Sequence, residues 1–157
     1  MTDTADAVTA RLAALGLAIP ESALPAANYL PFVRQGNLLF VSGQLPLVGG
    51  KPLIYGRLGE DVSVEQAYEA AKVCAINIIG QIKAAGALGQ IRQIARLGGF
   101  VACVPTFADH PKVVNGASDL MVAAFGDAGR HTRAAVGVPS LPFGVPVEVD
   151  ALVVLEG

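Results

Sequence analysis

One arginine and one glutamate interrupt the apolar run between His131 and Leu155, and they are the residues of this chain best suited to chemistry. Val145, Val147, Val149, Ala151, Val153 and Leu155 alternate to one face of a strand, which sends Glu148 and Asp150 to the other, beside Leu152 and Val154. A carboxylate in so apolar a strand requires partners, because an unpaired buried charge is strongly destabilising. Arg133 opens the adjacent strand segment and carries a permanently charged planar fork that matches a carboxylate. On the residues alone two readings stay open. Arg133 and Glu148 form a buried ion pair, or Arg133 binds a substrate carboxylate while Glu148 handles a water or a proton.

Other candidates carry less. His131 lies two residues before Arg133 and so can share its strand face, yet a lone histidine is more often a hydrogen-bonded structural residue than a catalyst. His110, between Asp109 and Pro111, reads as part of a helix start. Cys74 and Cys103 stand in apolar runs without a second pair or a histidine at ligand spacing. They read as buried thiols, with neither a zinc site nor a disulfide framework suggested. With 11 basic and 13 acidic residues and no basic cluster, the electrostatic footprint of a nucleic-acid binder is missing.

The elements that must position these residues follow from periodicity. Asp3 to Gly16 predicts a short amphipathic helix with Val8, Leu12 and Leu15 on one face, Asp3 as cap and Gly16 as stop. Ile19 to Pro31, with Pro20, Pro25 and Pro31, is a connector. Phe32 to Arg34 and Leu38 to Ser42 flank a tight turn at Gln35-Gly36-Asn37 and predict a hairpin. Gly43 to Gly59 reads as a loop with one short strand near Pro52 to Tyr55.

Ser63-Val64-Glu65-Gln66 has the form of a capping box, and Val64, Ala67, Tyr68, Ala71, Ala75, Ile78, Ile79 and Ile82 follow as a helical stripe. Ile91 to Val104 predicts a strand in which Gly98-Gly99 marks a bulge or a close backbone approach. Asp109 and Pro111 open a second long helix through Val113, Val114, Ala117, Leu120, Met121, Ala124 and Phe125, stopped by Gly126. Thr132 to Val138 and Val145 to Leu155 close the chain as strands.

This order predicts one α+β domain over residues 1–157, with residues 1–28 as an N-terminal helix and connector and two helices on one face of a mixed sheet. A chain that is 53% hydrophobic and only 15% charged folds compactly but has few charges to cover a monomer. A homo-oligomer is therefore expected, its subunits burying the other sheet face. No apolar run reaches bilayer length and the N-terminus lacks a signal-peptide pattern, so a soluble cytoplasmic protein is expected.

Tyr29 to Val33, Ser42-Gly43-Gln44-Leu45-Pro46, Arg133, Leu141-Pro142 and Val147-Glu148-Val149 occur in the order of the RidA/YjgF/UK114 family. The chain resembles that family from about Tyr29 onward. Its N-terminal helix, the run Asn115-Gly116-Ala117-Ser118-Asp119-Leu120 and the segment Gly126 to Arg133 resemble the longer YjgF-like branch labelled endoribonuclease L-PSP.

The resemblance implies an α+β fold of the bacillary chorismate-mutase type and a barrel-like homotrimer with clefts between subunits. It implies hydrolysis of enamine or imine intermediates such as 2-aminoacrylate to a 2-keto acid and ammonia, without a cofactor. It assigns Arg133 to the substrate carboxylate, Glu148 to the attacking water and Tyr29 to the cleft lining, with Asn115 and Ser118 competing for the place of a cleft asparagine. Ala135 stands where the family often has a cysteine. A non-catalytic trimer that binds a small carboxylate through Arg133 is the alternative. The RNA cleavage that the branch label names would need a basic track.

Overall fold

In the computed structural model, residues 2–22 and 27–157 are described; Pro25 of the expected connector lies outside them. Helix α1 spans Thr2–Ala14, so it begins one residue before Asp3. Val8 and Leu12 are fully buried, whereas Leu15, expected on the same face, is exposed because the helix ends one residue before it. Strands β1 (Phe32–Gln35) and β2 (Leu38–Gln44) form the expected hairpin.

A second, two-stranded hairpin joins β3 (Leu47–Val48) to β4 (Lys51–Pro52). It replaces the single strand expected near Pro52 to Tyr55. Its turn is Gly49-Gly50 with φ of 59° and 79°, the left-handed pair that a two-residue hairpin turn requires and that glycine adopts without strain.

Helix α2 (Val64–Ala84) begins in a complete capping box. Ser63 Oγ accepts from the Gln66 amide at 3.1 Å and Gln66 Oε1 accepts from the Ser63 amide at 2.9 Å. Strand β5 (Ile91–Ala102) is followed by α3 (His110–Phe125), β6 (Thr132–Val138) and β7 (Val147–Leu155). Every residue of the expected apolar stripe on α3 is buried.

The main sheet has the order β1-β2-β7-β5-β6, with β6 parallel to β5 and all other pairs antiparallel. Helix α3 is thus the crossover of a β5-α3-β6 unit, and among the described residues β6 is an edge strand. The expected neighbourhood of β6 and β7 is corrected, since β5 lies between them.

Helices α2 and α3 pack side by side on one face, and α1 joins that layer as a third helix, where Arg11 Nη1 donates to the Ala124 carbonyl at 3.0 Å. The core lies between this layer and the inward residues Leu39, Val41, Ile94, Leu97, Val101, Val147, Val149 and Val153.

The opposite face carries Val33, Phe40 and Val136, all exposed, with half-buried Phe100, Leu152 and Val154. Among the described residues nothing packs over this largely apolar surface. Register shifts in β5 fall at Ile91/Gln93 and Ile94/Arg96, so Gly98-Gly99 marks close approach and not a bulge.

Candidate functional site

The first half of the site is built where α3 meets the start of β6. Asn115 and Ser118 are three residues apart on α3 and so share one helical face. Arg133 stands in register with Leu97, a core-facing residue of β5, so its side chain projects to the helical side of the sheet. Its Nη1 donates to Asn115 Oδ1 at 2.8 Å and to Ser118 Oγ at 3.1 Å.

Ser118 Oγ also lies 2.9 Å from His131 Nε2, and His131 Nδ1 lies 2.6 Å from the Gly129 carbonyl. A carbonyl only accepts, so the imidazole proton is assigned to Nδ1 and Nε2 accepts the Ser118 hydroxyl. The chain of donors runs Arg133 to Ser118 to His131 to Gly129, each group filled in one direction. His131 and Arg133 do share a face, as their spacing implies.

The second half lies on the uncovered face. Glu148 is in register with Phe100 on β5, which in turn pairs with Val136 on β6. Its carboxylate sits over Gly43, at the point where β2 carries one extra residue between Val41 and Gln44, and a Cβ at Gly43 would overlap it. Two residues on, Asp150 sits in the same way over Gly98 and accepts the Gly98 amide at 3.0 Å.

Half-burial, followed by the nearby Asp150 charge, raises the Glu148 carboxyl above its ordinary pKa. Behind β7 on the helical side, Cys74 is fully buried, with Sγ 3.7 Å from the Val147 carbonyl, and burial pushes its thiol well up.

The geometry corrects the ion-pair reading. Arg133 and Glu148 project to opposite faces of the sheet, in registers three residues apart, and form no salt bridge. Tyr29 is exposed, in the segment before β1, at the sheet edge opposite β6. One chain therefore brings Asn115, Ser118, His131 and Arg133 together and leaves Glu148 and Tyr29 apart from them.

Two supports were not legible in the sequence. The Asn77 side-chain amide on α2 donates to the carbonyls of Leu45 and Leu47, both at 3.0 Å, and so fixes the turn that follows Gly43. A half-buried amide within a helical apolar stripe was the available signal. Gly43 itself stood inside a noted run, but only the bulge sets it beside Glu148.

Residues 9–154 match the profile of the family described as YjgF/chorismate mutase-like, putative endoribonuclease. The chain belongs to the YjgF/RidA family. It is 46% identical over 153 residues to Protein TCP17 of Trypanosoma cruzi, covering 95% of this chain and 94% of that one.

Among solved structures it is similar to a protein of unknown function from Agrobacterium tumefaciens, with 48% identity, a TM-score of 0.93 and coverage of 99% and 96%. It is also similar to a protein from Shewanella oneidensis described as a putative endoribonuclease, with 39% identity, a TM-score of 0.89 and coverage of 94% and 99%. The mixed α+β architecture is that of the YjgF family.

Proposed function

We propose that the protein hydrolyses small enamine or imine acids of the 2-aminoacrylate type to 2-keto acids and ammonia. The observation that carries this reading is the state of Arg133. Its half-buried guanidinium spends one nitrogen on the neutral acceptors Asn115 and Ser118, and among the described residues no carboxylate pairs with it. A positive charge held in place by neutral partners is prepared for an anionic ligand, and the fork fits a carboxylate.

Hydrolysis then needs a group that directs water at the imine carbon. Glu148 suits that task because its raised pKa makes it a stronger proton acceptor than an ordinary carboxylate. The substrate is reactive already, so positioning does most of the work. Water adds to the C=N carbon, the nitrogen gains a proton, and collapse of the carbinolamine releases ammonia and leaves the ketone. No cofactor enters this scheme.

Arg133 lies on the edge strand, Glu148 on the uncovered apolar face and Tyr29 at the far edge. A cleft completed by further copies, in a homotrimer, is the arrangement in which these three would serve one substrate. The same separation favours the second reading, a trimer that binds a small carboxylate through Arg133 without hydrolysing anything.

The test generates 2-aminoacrylate in situ and follows keto-acid release with the wild type, Arg133→Ala and Glu148→Gln. Acceleration by the wild type alone supports hydrolysis. Rates equal to the uncatalysed one for all three proteins, across several amino-acid-derived imines, refute it. Calorimetry with a 2-keto acid then decides the binding reading, and light scattering reads the mass of the assembly.

A further inference from the structure

A second cluster of reactive groups lies at the other end of β5 and β6, away from Arg133. Cys103 directly follows β5, and its backbone is pinned by its N–H, which donates to the Val138 carbonyl at 3.1 Å, and by the hydrogen bonds of its neighbours Ala102 and Val104 with Leu58. His110, the first residue of α3, brings Nε2 to 3.4 Å from Cys103 Sγ. Phe107 holds that imidazole edge-on, with centroids 5.2 Å apart and planes at 77°.

The pair lines an open cavity of about 390 Å³ together with Arg57, Phe107, Gly137 and Pro139. Gly137 is exposed, and a Cβ there would lie 2.6 Å from His110 Nε2 and 2.8 Å from Cys103 Sγ. Its hydrogen leaves the approach to both atoms free. Arg57 stands at the rim, paired with Glu60 through Nε and Nη2 and reaching the Pro139 carbonyl with Nη1 at 3.3 Å. These groups come from three separate stretches of chain.

We infer that Cys103 and His110 form a nucleophilic thiol–imidazole pair whose cavity captures a small, anionic carbonyl compound as a reversible covalent adduct. The chemistry needs a base beside the thiol, room for the electrophile and a cation near its acid group; His110 and the cavity supply the first two, and Arg57, paired with Glu60, would exchange that carboxylate for the ligand's. His110 Nε2 takes the thiol proton and the thiolate attacks the carbonyl carbon. The C–S bond forms as the carbonyl π bond opens, and the new oxygen recovers the proton from His110. The product is a hemithioacetal or hemithioketal, with no oxidant and no leaving group.

Cys74 is the internal control, fully buried where Cys103 keeps 7% of its surface. The folded wild type is treated with limiting iodoacetamide or iodoacetate near pH 7, and the modified cysteine is read by peptide mass spectrometry. Cys103 is expected to react about tenfold faster than in the same chain unfolded in urea, while Cys74 stays unmodified.

His110→Gln should slow both reagents about tenfold, and Gly137→Ala should slow them by obstruction. Arg57→Gln should slow iodoacetate more than iodoacetamide. Glyoxylate, which joins an aldehyde to a carboxylate, should protect Cys103 from iodoacetamide in the wild type and not in Arg57→Gln.

The inference is overturned if folded Cys103 reacts no faster than in the unfolded chain, if His110→Gln leaves the rate unchanged in a protein of native melting temperature, or if glyoxylate gives no protection. Arg133→Ala and Glu148→Gln should leave this labelling intact, so its outcome is separable from that of the proposed hydrolysis.

Discussion

Gly43 faces the Glu148 carboxylate across the β2–β7 ladder so closely that a Cβ at position 43 would overlap it. The extra residue in β2 and the Asn77 tie behind the following turn hold the two in place. Gly43→Ala should therefore displace Glu148 while leaving the helical layer unchanged. The expected result is loss of most imine hydrolysis, on the order of tenfold or more, with an unchanged far-ultraviolet circular dichroism spectrum. Full activity in this variant would show that the position of Glu148 is immaterial.

Glu148 also links stability to pH. Its folded pKa is raised, so the folded state binds this proton more tightly than the unfolded state does. That contribution is fully present below the unfolded carboxylate pKa, about 4.3, and is lost as pH rises through the folded value. Glu148→Gln keeps the shape and removes the charge. It should raise the urea midpoint at pH 7 and have little effect at pH values below the ordinary carboxylate range. A variant less stable than wild type at pH 7 would contradict the assignment.

Arg133→Lys separates charge from shape. The ammonium keeps a positive charge but cannot hold Asn115 and Ser118 while offering a second fork to a ligand. Loss of one hydrogen bond to a charged group costs about 1.5–3 kcal/mol, so calorimetry with a 2-keto acid should show affinity weakened roughly ten- to hundredfold. Retained affinity would place the carboxylate elsewhere.

Away from the site, Ser63→Ala removes the hydroxyl half of the α2 capping box. The expected cost is about 1 kcal/mol, or roughly 2–4 °C in melting temperature for a domain of this size. Thermal unfolding checks it, and ligand binding should not change.

Tyr68 donates to Asp119 at 2.7 Å, a bond that lifts its hydroxyl to about 12, with desolvation adding to the effect. In an ultraviolet titration one tyrosine should ionise late, and Asp119→Asn should return it toward about 10. The raised value means stability that is present below the unfolded pKa and lost as pH rises through the folded one, so the Asp119→Asn difference should vanish under strongly alkaline conditions.

Much of this fold is written locally. The capping box at Ser63, the α3 stripe from Val113 to Phe125 and the alternation along β7 each follow from neighbours within a few residues, and each appears in the structure as read. The Gly36-Asn37 turn is equally local. What fails to read out is pairing at a distance. Nothing near Arg133 reveals that β5 separates it from Glu148, or that strand register turns the two side chains to opposite faces. Cys103 and His110 likewise meet only because β5 leads into α3 through a short loop, which brings the sulfur and ring to 3.4 Å. The β3–β4 hairpin was local and still missed; its Gly49-Gly50 turn was the signal.

The two carboxylates seated over Gly43 and Gly98 give the uncovered face a property beyond its apolar area. A layer that closes over them without supplying donors deepens the burial that already raises Glu148 and lifts its pKa further. Closure is then coupled to proton uptake, and by reciprocity acidity strengthens closure. A covering surface rich in cations or amide donors reverses the sign. The direction in which pH moves the association therefore reports the chemistry of whatever lies on that face.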